Sequence, residues 1–257
     1  MRQISAAYSR ALKEALRDRV TLFWRMSWPI IWLIIASFLF TGDVPPEALP
    51  RVRGAMAISM TVFALMISGM SGLPASIALD RKNGLLAKLR SMPVKPYRDL
   101  IGRVCAVTTF SLLAAVVIML LGMALGARFA GTGVAILHAM GFILLVICAS
   151  AGVGLVIGTL VKKLQGAVMT GVGIAVVTSA MSGLFAPYGS LPAPLQAFAR
   201  AYPVSSARAS IVDLLIGPGA VGYDPLTSGH VALTIALSIA LLVVGTVLYS
   251  RLGWKLE

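Results

Sequence analysis

DRKNGLLAKLRSMPVKPYRDLIGR, residues 80–103, is a basic island between two apolar runs. Residues 54–79 before it and 104–127 after it contain no Asp, Glu, Lys or Arg. A membrane-crossing helix needs about 20 such residues, so both runs are long enough to span and the island sits at a membrane face. Within it Leu85, Leu86 and Leu89 recur at helical spacing while Lys82, Lys88 and Arg90 point elsewhere, and Pro93 and Pro96 stop the pattern. The spacing predicts a short amphipathic helix over 80–92, lying on the membrane surface or docked against a partner.

Composition agrees. Of 257 residues 58% are hydrophobic and 12% charged, which is outside the range of a soluble domain and defines an all-α integral membrane protein. The net charge of +13 does not indicate nucleic acid, because Lys and Arg punctuate apolar runs and do not cluster on a solvated domain. Cys105 and Cys148 lie inside apolar runs without CxxC spacing and read as small buried hydrophobes, with no disulfide or metal site. The first apolar run continues at spanning length without an A-x-A site, so no cleavable signal is expected.

Working outward, residues 1–21 form a basic amphipathic helix, with Ile4, Tyr8, Leu12, Ala15 and Leu16 on one side, suited to an anionic membrane surface. Six spans are expected, at 22–41, 54–79, 104–127, 134–161, 164–186 and 231–250, in one domain covering 1–257. Trp24, Trp28 and Trp32 cluster at the start of the first. Met56, Met60, Phe63, Met66 and Met70 form a loose stripe in the second, readable either as the wall of a substrate path or as packing filler. GMALG (Gly122, Gly126) and GLVIG (Gly154, Gly158) permit close helix approach, although either motif alone says little about a dimer face. Residues 187–229 are too apolar for an ordinary loop and too broken by proline to span, which predicts a re-entrant or outer pair of short helices. Seventeen of the 22 Lys and Arg residues fall on one side of this layout, so the positive-inside rule puts both termini in the cytoplasm of a multi-pass cell-membrane protein.

The spans carry almost no ionisable residues, and His138 and His230 read as interfacial. No carboxylate within the six cores serves a proton-coupled carrier, and no GxxxxGK[ST] is present to bind ATP. No cofactor or metal is expected, and ATP dependence would need a separate polypeptide.

Three features together resemble the membrane subunit of type-2 ABC exporters (ABC-2 permeases, antibiotic-resistance and nodulation-factor branch), along the whole chain. In the basic island, Asp80, Arg81, Gly84, Leu86, Leu89, Pro93 and Val94 match that family's acidic-basic-x-G-x-L-x-x-L-x-x-x-P-V pattern. After the fifth span, Pro187, Leu191, Pro192 and Pro203 are similar to its Pro, Leu-Pro and later Pro positions. The third feature is the layout of N-terminal helix, six spans and broken outer segment. The chain departs from the pattern at Ala87, where the family often has an acidic residue.

The resemblance implies a division of labour. Asp80, Arg81, Gly84, Leu85, Leu86, Lys88, Leu89 and Pro93 would form a coupling helix seated in a separate ATPase subunit. Pro187, Leu191, Pro192, Phe198, Tyr202 and Pro203 would narrow an outer gate. A second permease chain, most simply an identical one, would complete the path among membrane lipids, and the apolar spans favour an amphipathic or lipid-like cargo. Two other readings stand beside it: a stand-alone secondary carrier, and a non-transporting assembly factor or membrane enzyme.

Overall fold

Pro74 shapes the centre of the molecule. Lacking an N–H, it cannot bond the Met70 carbonyl in an α pattern, and the chain answers with a π turn over Ser68–Gly72. The computed structural model describes residues 2–17, 19–39, 42, 44–85 and 96–253, and all its regular elements are helices. In chain order they are α1 (Arg2–Arg17), α2 (Arg19–Leu39), α3 (Leu49–Lys82, including the π turn), α4 (Pro96–Ala124), α5 (Gly133–Leu160) and α6 (Leu164–Met181). Then follow α7 (Ala193–Ala201), α8 (Pro203–Ile216) and α9 (Ser228–Leu248).

The rod α3 is the centre. Its most apolar window is 83% buried, against 17–56% for the corresponding windows of α4, α5, α6 and α9. It packs on α2, α4, α5, α6 and α8, while α9 lies outside against α5. The π turn exposes carbonyls that glycines cover. A Cβ at Gly154 of α5 would come within 2.2 Å of the Gly69 oxygen, and one at Gly171 of α6 within 2.0 Å of the Met70 oxygen. Only glycine allows backbones to meet so closely, and the GLVIG motif is therefore used inside the protomer. Gly122 of GMALG is likewise closed against Ala57 of α3.

Two buried hydroxyls of the π-turn region bond to their own helix: Ser68 Oγ donates to the Ala64 carbonyl and Ser71 Oγ to Ile67, both at 2.8 Å. This suits a medium without water. Outward, by contrast, Phe38, Leu137, Val134 and Met169 stand exposed, giving the bundle an apolar exterior matched to lipid.

Among the described residues, five helices are long and apolar enough to cross a membrane. For the first expected span, the apolar part of α2 among the described residues is the shorter Met26–Leu39. Several boundaries also differ from expectation, and α3 runs over Leu49–Lys82 where 54–79 was expected. Helix α4 begins at Pro96, two turns before 104, because Pro is tolerated in a first helical turn and Asp99 and Arg103 find buried partners. Helix α6 stops at Met181, short of 186, where Gly183 takes φ +76°. The two short helices in the proline-broken segment are α7 and α8, and α8 is buried against α3, α5 and α9.

Candidate functional site

At the end of the molecule that carries Lys82, Lys162 and Lys163, four charged side chains close on one another. Arg103 Nε donates to Asp99 Oδ2 at 2.7 Å, one turn away on α4, and Arg103 Nη2 donates to Asp80 Oδ2 on α3. Arg10 of α1 completes the square, its Nη2 donating to Asp80 Oδ2 at 3.0 Å and to Asp99 Oδ1 at 3.3 Å. Asp80, Asp99 and Arg103 are no more than 3% exposed, and two cations meet two anions. Their desolvation is thereby compensated, which an isolated buried charge would not achieve. Below the square Leu73, Ile77, Leu100, Leu155 and Tyr249 pack together, so α3, α4, α5 and the C-terminal turn share one footing. Helix α1 lies along α4, with the Tyr8 hydroxyl 3.2 Å from Thr109 Oγ1.

The predicted coupling residues divide here. Asp80–Lys82, expected to open the coupling helix, form instead the last turn of α3, and Asp80 faces inward. Asn83 ends the rod and Gly84 follows at φ +66°, a left-handed conformation that favours glycine. Arg81 and Lys82 line an open crevice of about 700 Å³ with Lys162 and Lys163, and no acidic residue faces them among its described lining. Leu85 begins the next stretch. Leu86, Lys88, Leu89 and Pro93 lie outside the described residues.

At the opposite end, α2, α3, the 184–189 segment and the loop after α8 enclose a cavity of about 730 Å³. Met56 and Met60 line it, with Trp32 and Phe185. Phe185 meets Trp32 and Phe63 edge-on, at centroid distances of 5.4 and 4.9 Å, and closes the floor. Phe63, Met66 and Met70 are buried in the core beyond that floor. The methionine stripe thus divides: Met56 and Met60 face space, and Phe63, Met66 and Met70 are packing.

Arg208 of α8 reaches this cavity, its Nε donating to Ser59 Oγ of α3 at 2.9 Å. Among the described residues no carboxylate pairs with it, and none lines the cavity. The nearby Tyr223 supplies no counter-charge. Burial pushes its hydroxyl up to about 12 despite the opposing pull of Arg208, so it is neutral at neutral pH.

Of the expected gate residues, Pro187 lines the cavity. Leu191 packs under Gly183, and Pro192 and Pro203 precede or open the short helices. Phe198 stacks on Tyr202 with centroids 5.3 Å apart, and Tyr202 reaches across to Met66 and Thr178. Beside them Arg200 donates to the Tyr188 hydroxyl at 2.6 Å and lies over the Tyr223 ring at 5.0 Å. The sequence reading did not single out the charge square or Arg208. Asp99 and Arg103 sit at i, i+4 spacing, but the expected helices ended at 92 and resumed only at 104.

These features define a helical membrane protein with a charge-clamped base, an apolar exterior and a cavity at its far end. The chain belongs to the ABC-2 type transporter family, whose model matches residues 2–215. No curated protein matches it. As a member it is the membrane component of an ABC transporter, not a catalytic subunit.

Proposed function

We propose that the chain is the permease subunit of an ATP-driven exporter of amphipathic or lipid-like cargo, working as a pair of permease chains with a separate ATPase subunit. Its orientation in the cell membrane has both termini in the cytoplasm, which follows from the 17 Lys and Arg residues on that side against five on the other. The ATPase seats on the segment around 81–92, beside the cationic crevice of Arg81, Lys82, Lys162 and Lys163. The observation that carries this reading is the origin of that segment. It issues directly from α3, the most deeply buried helix, and its root is held by the Asp80–Arg103–Asp99–Arg10 square. A displacement there is transmitted to the helix whose other end forms the cavity wall. ATP drives it only by binding one arrangement of the assembly more tightly than the other. At the far end α7 and α8 act as the outer gate.

The test is purification of the chain from its native host, followed by reconstitution. A co-purifying P-loop protein and ATP-dependent cargo movement are expected, and Leu86→Asp should abolish the stimulation of ATPase activity while the chain still inserts. Cargo movement under an ion gradient with no ATPase present would overturn the proposal, as would full stimulation by the Leu86→Asp variant.

A further inference from the structure

The cavity at the far end has a chemistry of its own. Ser59 lies ten residues into α3, about 15 Å along the rod from Leu49, so the guanidinium bonded to it sits well inside the bundle. A cation at such depth without a counter-ion is costly, and where it faces a cavity it marks a site for something that carries the missing charge. Arg51 lines the same space, which doubles the positive charge without adding an acidic residue to the described wall. Most of the remaining wall is apolar, with Trp32, Ala36, Met56, Met60 and Phe185, and Ser59 and Tyr188 add hydroxyls. The cavity therefore sets two guanidiniums beside an apolar surface, and 730 Å³ lies within the range of a small-molecule site.

We infer that this cavity holds an anionic amphiphile, a phosphate or carboxylate head on an apolar chain, with Arg208 as the counter-ion of the head and the Trp32–Met56–Met60 wall as the bed of the chain. Arg208 is suited to this because its Nε is fixed on Ser59, which leaves the two terminal nitrogens as a planar fork for paired oxygens. A neutral lipid leaves the guanidinium uncompensated, and a zwitterionic one brings a further cation beside Arg208 and Arg51 together with its phosphate. The inference deepens the export reading by assigning the charge of the cargo, and it rests on that reading.

Trp32 in the wall provides the measurement. The full-length chain in neutral-detergent micelles is titrated with phosphatidic acid bearing brominated chains, and separately with phosphatidylcholine bearing the same chains, following tryptophan quenching. Saturable quenching by phosphatidic acid, at least about tenfold tighter than by phosphatidylcholine, is expected, since a charge-assisted bond is worth that factor or more. Trp32→Phe should remove most of the saturable signal. Arg208→Gln should weaken phosphatidic acid binding about tenfold or more, and Arg208→Lys should retain the charge preference. If the Gln variant fails to fold, the comparison of the two lipids on the unaltered chain decides alone. Equal binding of both lipids overturns the inference, as does displacement by millimolar inorganic phosphate, which would make the site a phosphate site without a chain. Loss of self-association in Arg208→Gln with unchanged lipid binding also overturns it, by assigning the counter-ion to a second copy. Charge-selective binding without ATP-driven export would remove the export reading and leave the site, whereas export without charge selectivity would remove the inference alone.

Discussion

Arg103 is the residue on which the charge-clamped base turns, because it is fully buried and bonds both carboxylates. Among the described residues, Arg103→Met leaves Asp80 and Asp99 sharing only Arg10, which is 26% exposed. Removing one partner of a buried ion pair costs about 3–5 kcal/mol, so this variant should show a large fall in thermal stability by fluorescence-detected gel filtration, and Arg10→Met a smaller one. Asp80→Asn combined with Arg103→Met should cost less than the two singly, since each alone strands the other's charge. Gly84 poses a different case. A Cβ there meets nothing within 4 Å, so Gly84→Ala strains only the left-handed backbone, by about 1–2 kcal/mol. The variant should fold normally and lose part of the ATPase stimulation. Equal stimulation would show that this turn does not set the direction of the coupling segment.

Among the elements, α3 decides the packing, and its π turn is where tolerance is lowest. Gly171→Ala would drive a methyl into the Met70 carbonyl, whereas Gly173→Ala, two residues along the same helix, meets nothing within 4 Å. The first should destabilise by about 1–3 kcal/mol or more and the second by nothing measurable, again by thermal unfolding in detergent. Apolar runs free of charge revealed most of these helices from the sequence, because a spanning helix must be apolar over its full length, and the proline-broken segment identified α7 and α8. What the sequence did not reveal has a common cause. Asp80, Asp99 and Arg103 look like surface residues when counted singly, and only the antiparallel meeting of α3 with α4, joined by α1, turns them into a closed set. Arg208 looked like an outer-loop charge for the same reason, since nothing local says that α8 folds back into the bundle. The methionine stripe was legible as a stripe, but its division at Phe185 depends on a loop more than 100 residues away.

For the whole molecule, the asymmetry of its two ends makes a topological prediction. Cysteines introduced at Lys162 and Ala220 of a chain with Cys105 and Cys148 replaced by Ala should differ in intact cells. A membrane-impermeant maleimide should label position 220 and not 162, and the reverse pattern would invert the orientation. The single rod joining a clamped base to an open cavity also bears on handling of the protein. Because one corner of the charge square is Arg10, helix α1 is part of the folded base. A shortened product starting after it would keep all its greasy helices and still enter the bilayer, yet two acids would compete for one guanidinium at its base. Such a product is expected to be abundant and inert, and adding back the missing arginine by restoring those few residues should recover it.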